Sequence, residues 1–263
     1  MRVLGVIPAR MASTRLPGKP LVEIHGVPMV GHCYLRACLS QSLDAVWMAT
    51  CDGAIDLYAR SIGAPCVMTS GSHERATERA AEALASIERS DGGHYDYVAL
   101  IQGDEPLLRP GMVDDLVGGL EAHPEAPVIN LVARMKDINE FESPDIIKVV
   151  GTLDNQALYF SREPIPSRRN ASGDVPMWKQ LGMILFSREA LLAYAELRPT
   201  PLEIVESVDM NRFLEHGWVI RLAPTVHESR PVDTLEDLEI VRELMARDDL
   251  LRQYQPALDA GSR

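Results

Sequence analysis

The chain has 263 residues, 46% hydrophobic and 24% charged, ordinary usage for a globular protein long enough to bury a sizeable core. Acidic residues outnumber basic ones, 38 to 26, for a formal charge of -12, which argues against nucleic acid or an anionic membrane as the main partner. No run reaches the roughly 18 apolar residues of a membrane span and no charged-then-apolar leader opens the chain, so a cytoplasmic protein is expected; Cys33, Cys38, Cys51 and Cys66 show neither a C-x-x-C pair nor zinc spacing, which predicts reduced thiols and no structural metal.

Val3 to Ile7 reads as a buried strand that Pro8 ends, and Pro17-Gly18 marks a turn beyond it. Arg10, Arg15 and Lys19 therefore lie among small residues on a loop at a strand's carboxyl end, where open α/β sheets bind ligands. Small residues let backbone N–H groups approach phosphate oxygens, arginine offers a planar fork of donors, and lysine offers a point charge. The loop predicts a cradle for a nucleoside triphosphate, with a merely solvated basic loop as the plainer alternative. Apolar runs at 44–49, 65–69 and 97–102 alternate with helical patterns near 28–41, 53–62 and 77–89, the rhythm of a doubly wound parallel sheet. The third helix opens with His73-Glu74-Arg75-Ala76-Thr77-Glu78-Arg79, after Ser70-Gly71-Ser72. Free N–H groups at such a terminus suit a base carbonyl or an anion; ordinary helix-start chemistry accounts for the same residues.

Gln102-Gly103-Asp104-Glu105-Pro106 follows the strand 97–102 toward the same sheet edge as the basic loop. A carboxylate there beside a triphosphate points to magnesium, which prefers one or two carboxylates plus phosphate oxygens and water. Another helix is expected near 111–121. The second half is more mixed, with strands at Val128 to Arg134, Ile146 to Val150, Ala157 to Ser161 and Leu181 to Phe186. Residues 163–179 are rich in turn formers and predict a long, partly mobile loop, in which Asn170-Ala171-Ser172 matches a glycosylation acceptor only formally. Helices follow at 189–196 and 203–216, then a strand from Trp218 to Leu222 and a helix from Thr234 to about Arg247. Asp233, just before that helix, is either a second metal ligand or an N-terminal cap. No G-x-G-x-x-G follows the first strand, which argues against a dinucleotide-dependent oxidoreductase.

These residues resemble the 3-deoxy-manno-octulosonate (Kdo) cytidylyltransferases, or CMP-Kdo synthetases, over nearly the whole chain. The blocks that carry the resemblance are Ile7-Pro8-Ala9-Arg10 with Ser13-Thr14-Arg15-Leu16-Pro17-Gly18-Lys19-Pro20-Leu21, His73 with Thr77-Glu78-Arg79, and Gln102-Gly103-Asp104-Glu105-Pro106. Three more follow in order: Lys148-Val149-Val150, Ala157-Leu158-Tyr159-Phe160-Ser161-Arg162, and Val232-Asp233-Thr234 with Glu236-Asp237-Leu238. The resemblance implies a Rossmann-like nucleotidyltransferase fold, a mostly parallel mixed sheet with helices on both faces and a smaller dimerisation subdomain. The expected single domain divides into a CTP-binding half (1–125), an acceptor-binding and dimerisation part (126–225) and a C-terminal part (226–263).

The resemblance also implies CTP as donor, magnesium as cofactor, a homodimer, and transfer of CMP to an acceptor oxygen with release of pyrophosphate. Carried over by position, Pro8, Ala9, Arg10, Ser13, Arg15 and Lys19 hold the triphosphate, while Met68, Thr69, His73, Thr77 and Gln102 surround cytidine. Asp104 and Asp233 hold magnesium, and with Arg10 and Lys19 they form the catalytic set. Acceptor contacts fall on Arg75, Gln102, Arg162, Gln180, Ile184, Glu206 and Asp209.

The acceptor region departs from the family. Its usual His-Leu-Gly-Ile-Tyr reads Gln180-Leu181-Gly182-Met183-Ile184, and a Glu-Gln pair becomes Asp209-Met210. Losing His, Tyr and Gln together removes polyol contacts, since a site built to bond hydroxyls discriminates strongly. Arg75 stands where the family has Ser, and Arg168-Arg169 add charge in the 163–179 loop, where a solvated role is the alternative. The expected acceptor is a compact anion such as phosphonoformate; a Kdo-type enzyme or one for a related sugar acid is the alternative. A nucleotide-binding regulator without chemistry is a further one, opposed by retention of both aspartates and all three loop cations.

Overall fold

In the computed structural model, residues 1–13, 15–170, 175 and 177–254 are described. Alternation along the first strand, β1 (Val3–Ala9), already dictates a two-faced core. Val3 and Ile7 point to one face, where they meet Val30, Cys33, Ile55, Ala59, Met112 and Leu116 from helices α1 (Met29–Ala37), α2 (Gly53–Ser61) and α4 (Pro110–Ala122). Leu4 and Val6 point to the other, against Ala80, Leu84 and Ile87 of α3 (Ala76–Asp91).

After β1 come a short hairpin, β2 (Glu23–Ile24) and β3 (Val27–Pro28), then β4 (Ala45–Thr50), β5 (Cys66–Met68) and β6 (Tyr97–Ile101). The second half adds β7 (Val128–Arg134), α5 (Ile138–Glu142), β8 (Lys148–Gly151), β9 (Ala157–Ser161) and β10 (Trp178–Ser187). Helices α6 (Arg188–Glu196), α7 (Pro201–Glu206) and α8 (Asp209–Glu215), strand β11 (Ile220–Thr225) and helix α9 (Leu235–Met245) complete the order. Among the described residues the main sheet runs β11-β7-β10-β6-β1-β4-β5, and β8 and β9 extend it from the start of β10. Its pairings are parallel except around β10, which runs against both β6 and β7, and within the β8–β9 hairpin. This is the mixed, mostly parallel sheet with helices on both faces that the sequence predicts.

The chain leaves β1 in one direction, through α1 to β4 and α2 to β5, and α3 returns it to β6 on the opposite side of β1. That reversal opens a crevice at the carboxyl ends of β1 and β6. A separate apolar cluster packs α9 and the C-terminal residues Leu251 and Tyr254 against Leu16, Ile24 and Met29, so the chain's last elements brace the loop after β1 from behind.

Three local features differ from the sequence reading. Helix 203–216 is two helices, because Ser207 takes a left-handed conformation (φ 54) between α7 and α8. The β2–β3 hairpin turns through His25 and Gly26, both at positive φ, and two-residue strands are too short for a period-2 pattern to register. The loop expected over 163–179 ends earlier, since Trp178 already pairs with Val149 and Arg134; the glycosylation-like match runs onto residues outside those described.

Candidate active site

Gly103 allows the two strand ends to meet: a Cβ there would come within 3.0 Å of the Pro8 carbonyl oxygen. Val232 N–H donates to the Asp104 carbonyl (2.9 Å), which draws the segment before α9 to the same edge. Gly18 turns the loop at φ 69 and starts the short 3-10 turn Lys19–Leu21, which aims Lys19 inward. Its Nζ donates to Asp104 Oδ2 (2.8 Å) and to Asp233 Oδ1 (2.9 Å), while Arg15 lies 3.1 Å from the other oxygen of Asp233. Burial alone would lower the Lys19 ammonium, but Asp104, joined by Asp233, outweighs it and holds Lys19 above its ordinary value. The cap of α9 is Thr234, whose hydroxyl accepts from Asp237 N–H, so Asp233 has no capping duty.

These groups border a cleft of about 420 Å³. Of the residues singled out in the sequence, Pro8, Ala9, Arg10, Ser13, Arg15, Lys19, His73, Arg75, Gln102, Asp104 and Asp233 line it together. Its lining carries five arginine or lysine side chains against three carboxylates, a local positive excess in an acidic protein that suits a polyanion. Arg10 reaches across to the His73 carbonyl at 3.4 Å, and the His73 ring pairs with Glu82, which also accepts from Ser70 N–H. Met68, Thr69, Thr77, Arg162, Gln180, Ile184, Glu206 and Asp209 lie outside the lining.

Each of those outer residues has a visible engagement or placement. Met68 is exposed at the end of β5; Thr69 accepts from Arg79, and Thr77 donates to Asp209 (2.8 Å). Glu78 serves the start of α3, accepting from the N–H groups of Glu74 and Arg75, so this stretch combines helix-start chemistry with cleft-lining side chains. Gln180 donates to Asn130 at 2.6 Å, while Ile184 and Met210 sit in the core. Glu206 accepts from Tyr159, Ser161 and Arg162 N–H, each at 2.8 Å, and Arg162 Nε returns a bond to its backbone carbonyl. Burial would raise the Glu206 carboxyl, yet these hydrogen bonds prevail and hold it low.

Arg75 bridges the two groups. It lines the cleft, donates to Ser207 (3.0 Å), and lies 3.5 Å from Asp209 and 3.6 Å from Glu203. Two residues escaped the sequence reading. Asp52 accepts from Met11 N–H (2.8 Å) and pins the basic loop; its signal was an acid two residues past strand β4, a position that resembles any helix start. Glu105 is fully buried beside Asp104, accepts from Gly182 N–H (3.0 Å), and burial pushes its carboxyl up to about 7. Gly182 makes room for it, since a Cβ there would meet Glu105 and Gln102 side chains at 2.3 and 2.5 Å.

Residues 4–225 match the cytidylyltransferase family model. A 3-deoxy-manno-octulosonate cytidylyltransferase of Geobacter metallireducens is 39% identical, over 94% of this chain and 99% of the relative. A solved CMP:2-keto-3-deoxy-manno-octonic acid synthetase complexed with CTP superposes with a TM-score of 0.86 at 36% identity, covering 94% of this chain and 99% of the other. The chain belongs to the cytidylyltransferase family, of the CMP-Kdo synthetase type. It is a nucleotidyltransferase that uses CTP. A 4-diphosphocytidyl-2C-methyl-D-erythritol synthase from Anaerococcus prevotii, at 12% identity and a TM-score of 0.63 over 94% of this chain and 96% of its own, shares the fold alone. No helix among the described residues is long and apolar enough to cross a membrane.

Proposed function

We propose that this cytidylyltransferase moves CMP from CTP to an anionic oxygen of a small acid, a phosphonate of the phosphonoformate kind, and releases pyrophosphate. The observation that carries this acceptor is Arg75: a guanidinium lines the cleft where the family has a small hydroxyl, while Ile184 and Met210, in place of polyol-binding residues, lie in the core. The acceptor oxygen forms a bond to the α-phosphorus as the bond from that phosphorus to the pyrophosphate oxygen breaks, with nucleophile and leaving group in line. Arg10, Arg15 and Lys19 take the outer phosphates and neutralise the charge gathering on pyrophosphate. Pro8, Ala9 and Ser13 keep the strand end narrow enough for backbone to approach them. Gln102 and His73, with Met68, Thr69 and Thr77 behind them, frame cytidine. Arg75 orients the acceptor, backed by Asp209, with Gln180, Arg162 and Glu206 shaping the wall beyond.

Magnesium fits the donor set. Asp104 and Asp233 each place an oxygen beside one ammonium, and two carboxylates suffice for an ion that takes phosphate oxygens and water as well. When bound, it supplies polarisation of the phosphoryl oxygens. The protein is further proposed to be a homodimer through its second half: β9 and α7, tied by Tyr159 and Glu206, leave Leu158, Leu202, Ile204 and Val205 exposed.

A second reading, Kdo as acceptor, is favoured by the name of the Geobacter relative that matches along its whole length. Purified protein with CTP and magnesium is offered Kdo and phosphonoformate separately, and pyrophosphate release is followed. Faster turnover of phosphonoformate is expected; faster turnover of Kdo replaces the first reading with the second.

A further inference from the structure

Two carboxylates that face one another repel unless a cation lies between them, and here that cation is a side chain of the same protein. Lys19 Nζ stands 2.8 Å from Asp104 Oδ2 and 2.9 Å from Asp233 Oδ1, with the lysine better covered than either aspartate. We propose that Lys19 is an internal stand-in for the divalent cation, so that Asp104 and Asp233 accept a metal only once a triphosphate has drawn the ammonium away. The inference rests on the reading of both aspartates as metal ligands.

Three observations support it. The ammonium bonds one oxygen of each aspartate and already neutralises the pair, so a divalent cation entering between them would meet a positive charge at hydrogen-bond distance from the same two carboxylates. Lysine carries its charge as a compact point on a flexible four-carbon stem, so it can leave one set of oxygens for another without the loss of a planar, bidentate geometry. The destination lies alongside, because Arg10, Ser13 and Arg15 border the same cleft as Lys19. Arg15, 3.1 Å from Asp233 Oδ2, completes the charge balance of the unliganded pair. Nucleotide and metal then bind with positive coupling, and by linkage each raises the affinity for the other.

The test uses the full-length protein and manganese as a spin-resonance probe of free metal. Without nucleotide, the wild type is expected to bind Mn2+ weakly, Lys19→Met at least tenfold more tightly, and the double variant with Asp104→Asn no better than the wild type. Equal Mn2+ affinity in the wild type and Lys19→Met overturns the stand-in. The metal reading is judged separately: with α,β-methylene-CTP bound, the wild type must hold Mn2+ more tightly than the analogue alone does, and Asp104→Asn must lose that gain. If Lys19→Met does not fold, the nitrogen resonance of the Lys19 ammonium in the wild type decides. It must be unmoved by magnesium alone and shift when the analogue is added; a shift with magnesium alone overturns the proposal.

Discussion

The proposed donor side, which lines the cleft, and the proposed acceptor side, which lies mostly beyond it, use polar residues in opposite ways. On the donor side, Arg15, Lys19, Asp104 and Asp233 bond chiefly to one another, and all keep contact with the cleft. On the acceptor side, Glu206 gathers Tyr159, Ser161 and Arg162, Gln180 holds Asn130, and Glu203 holds Arg212, so these polar groups tie β9 to α7, α7 to α8 and β10 to β7. Ion pairs made chiefly among groups that face the cleft, with Arg15 also 3.8 Å from Asp145, can be exchanged for a ligand's charges at little cost to the fold. Groups that join elements cannot. Substitutions on the donor side should therefore strike activity first, and those on the acceptor side stability first, with Arg75 between the two.

The largest expected effect is on the donor side. Asp104→Asn should lower pyrophosphate release by about a thousandfold, the several kcal/mol that metal-assisted charge stabilisation supplies, while the melting temperature stays within a few degrees. An active variant, or one that fails to fold, breaks the division. Next is Arg212 on the acceptor side. Its guanidinium grips the Glu203 carboxylate through two bonds of 2.6 Å, and both side chains are buried. Arg212→Met leaves that carboxylate with Arg75 at 3.6 Å and the neutral donors Tyr194 Oη and Thr200 N–H at 3.3 Å, and should cost about 3 kcal/mol in urea unfolding, the low end for breaking a buried pair. A loss below about 1 kcal/mol, the scale of an exposed pair, removes the claim that this side is architecture.

Arg75 tests the boundary. It contributes a guanidinium to the cleft and is held by one hydrogen bond to Ser207 at 3.0 Å and longer contacts to Asp209 and Glu203, against the two 2.6 Å bonds of Arg212, so it is less committed to the fold than Arg212. Arg75→Ser should raise KM for an anionic acceptor about tenfold, the loss of one charge-assisted hydrogen bond, and leave KM for CTP nearly unchanged. Equal rises in both constants place Arg75 on the donor side instead.

The same contrast explains what could be read from the sequence. The donor loop and Asp104 follow two strand ends, and a strand followed by small residues and cations, or by an aspartate, is a local pattern; Lys19 and Asp104 were legible before any contact was known, while Asp233 read equally as a helix cap until the family resemblance singled it out. The acceptor residues were recognisable only as departures from a family pattern, because their partners lie far along the chain: Thr77 meets Asp209, and Arg162 meets Glu206. Ile184 looked like a pocket residue by position, yet alternation on β10 turns it into the core. The break at Ser207 was invisible for a related reason. A left-handed serine interrupts a helical pattern without proline or glycine, and the contact that accompanies it, with Arg75, is tertiary.

The smallest effect lies behind the donor loop, where the C-terminal segment braces it. His32 is fully buried, with Tyr254 Oη at 2.8 Å and the Ile24 carbonyl at 2.7 Å. The carbonyl can only accept, so Nε2 carries the proton; Nδ1 then accepts from the Tyr254 hydroxyl, which itself accepts from Arg36 Nε at 3.0 Å. The chain of bonds is complete only with a neutral imidazole, and burial, reinforced by the Arg36 charge, pushes the His32 pKa down to about 4 from its ordinary 6.5. The unfolded chain thus takes up a proton that the folded one refuses, and His32 makes stability fall as pH drops from 6.5 toward 4. His32→Gln should flatten that limb in acid-induced unfolding. Tyr254→Phe, which keeps the ring and removes the hydroxyl, should cost about 1 kcal/mol at neutral pH. If the donor loop depends on this brace, the same variant also raises KM for CTP; a stability loss with KM unmoved makes the C-terminal segment a support for the fold alone.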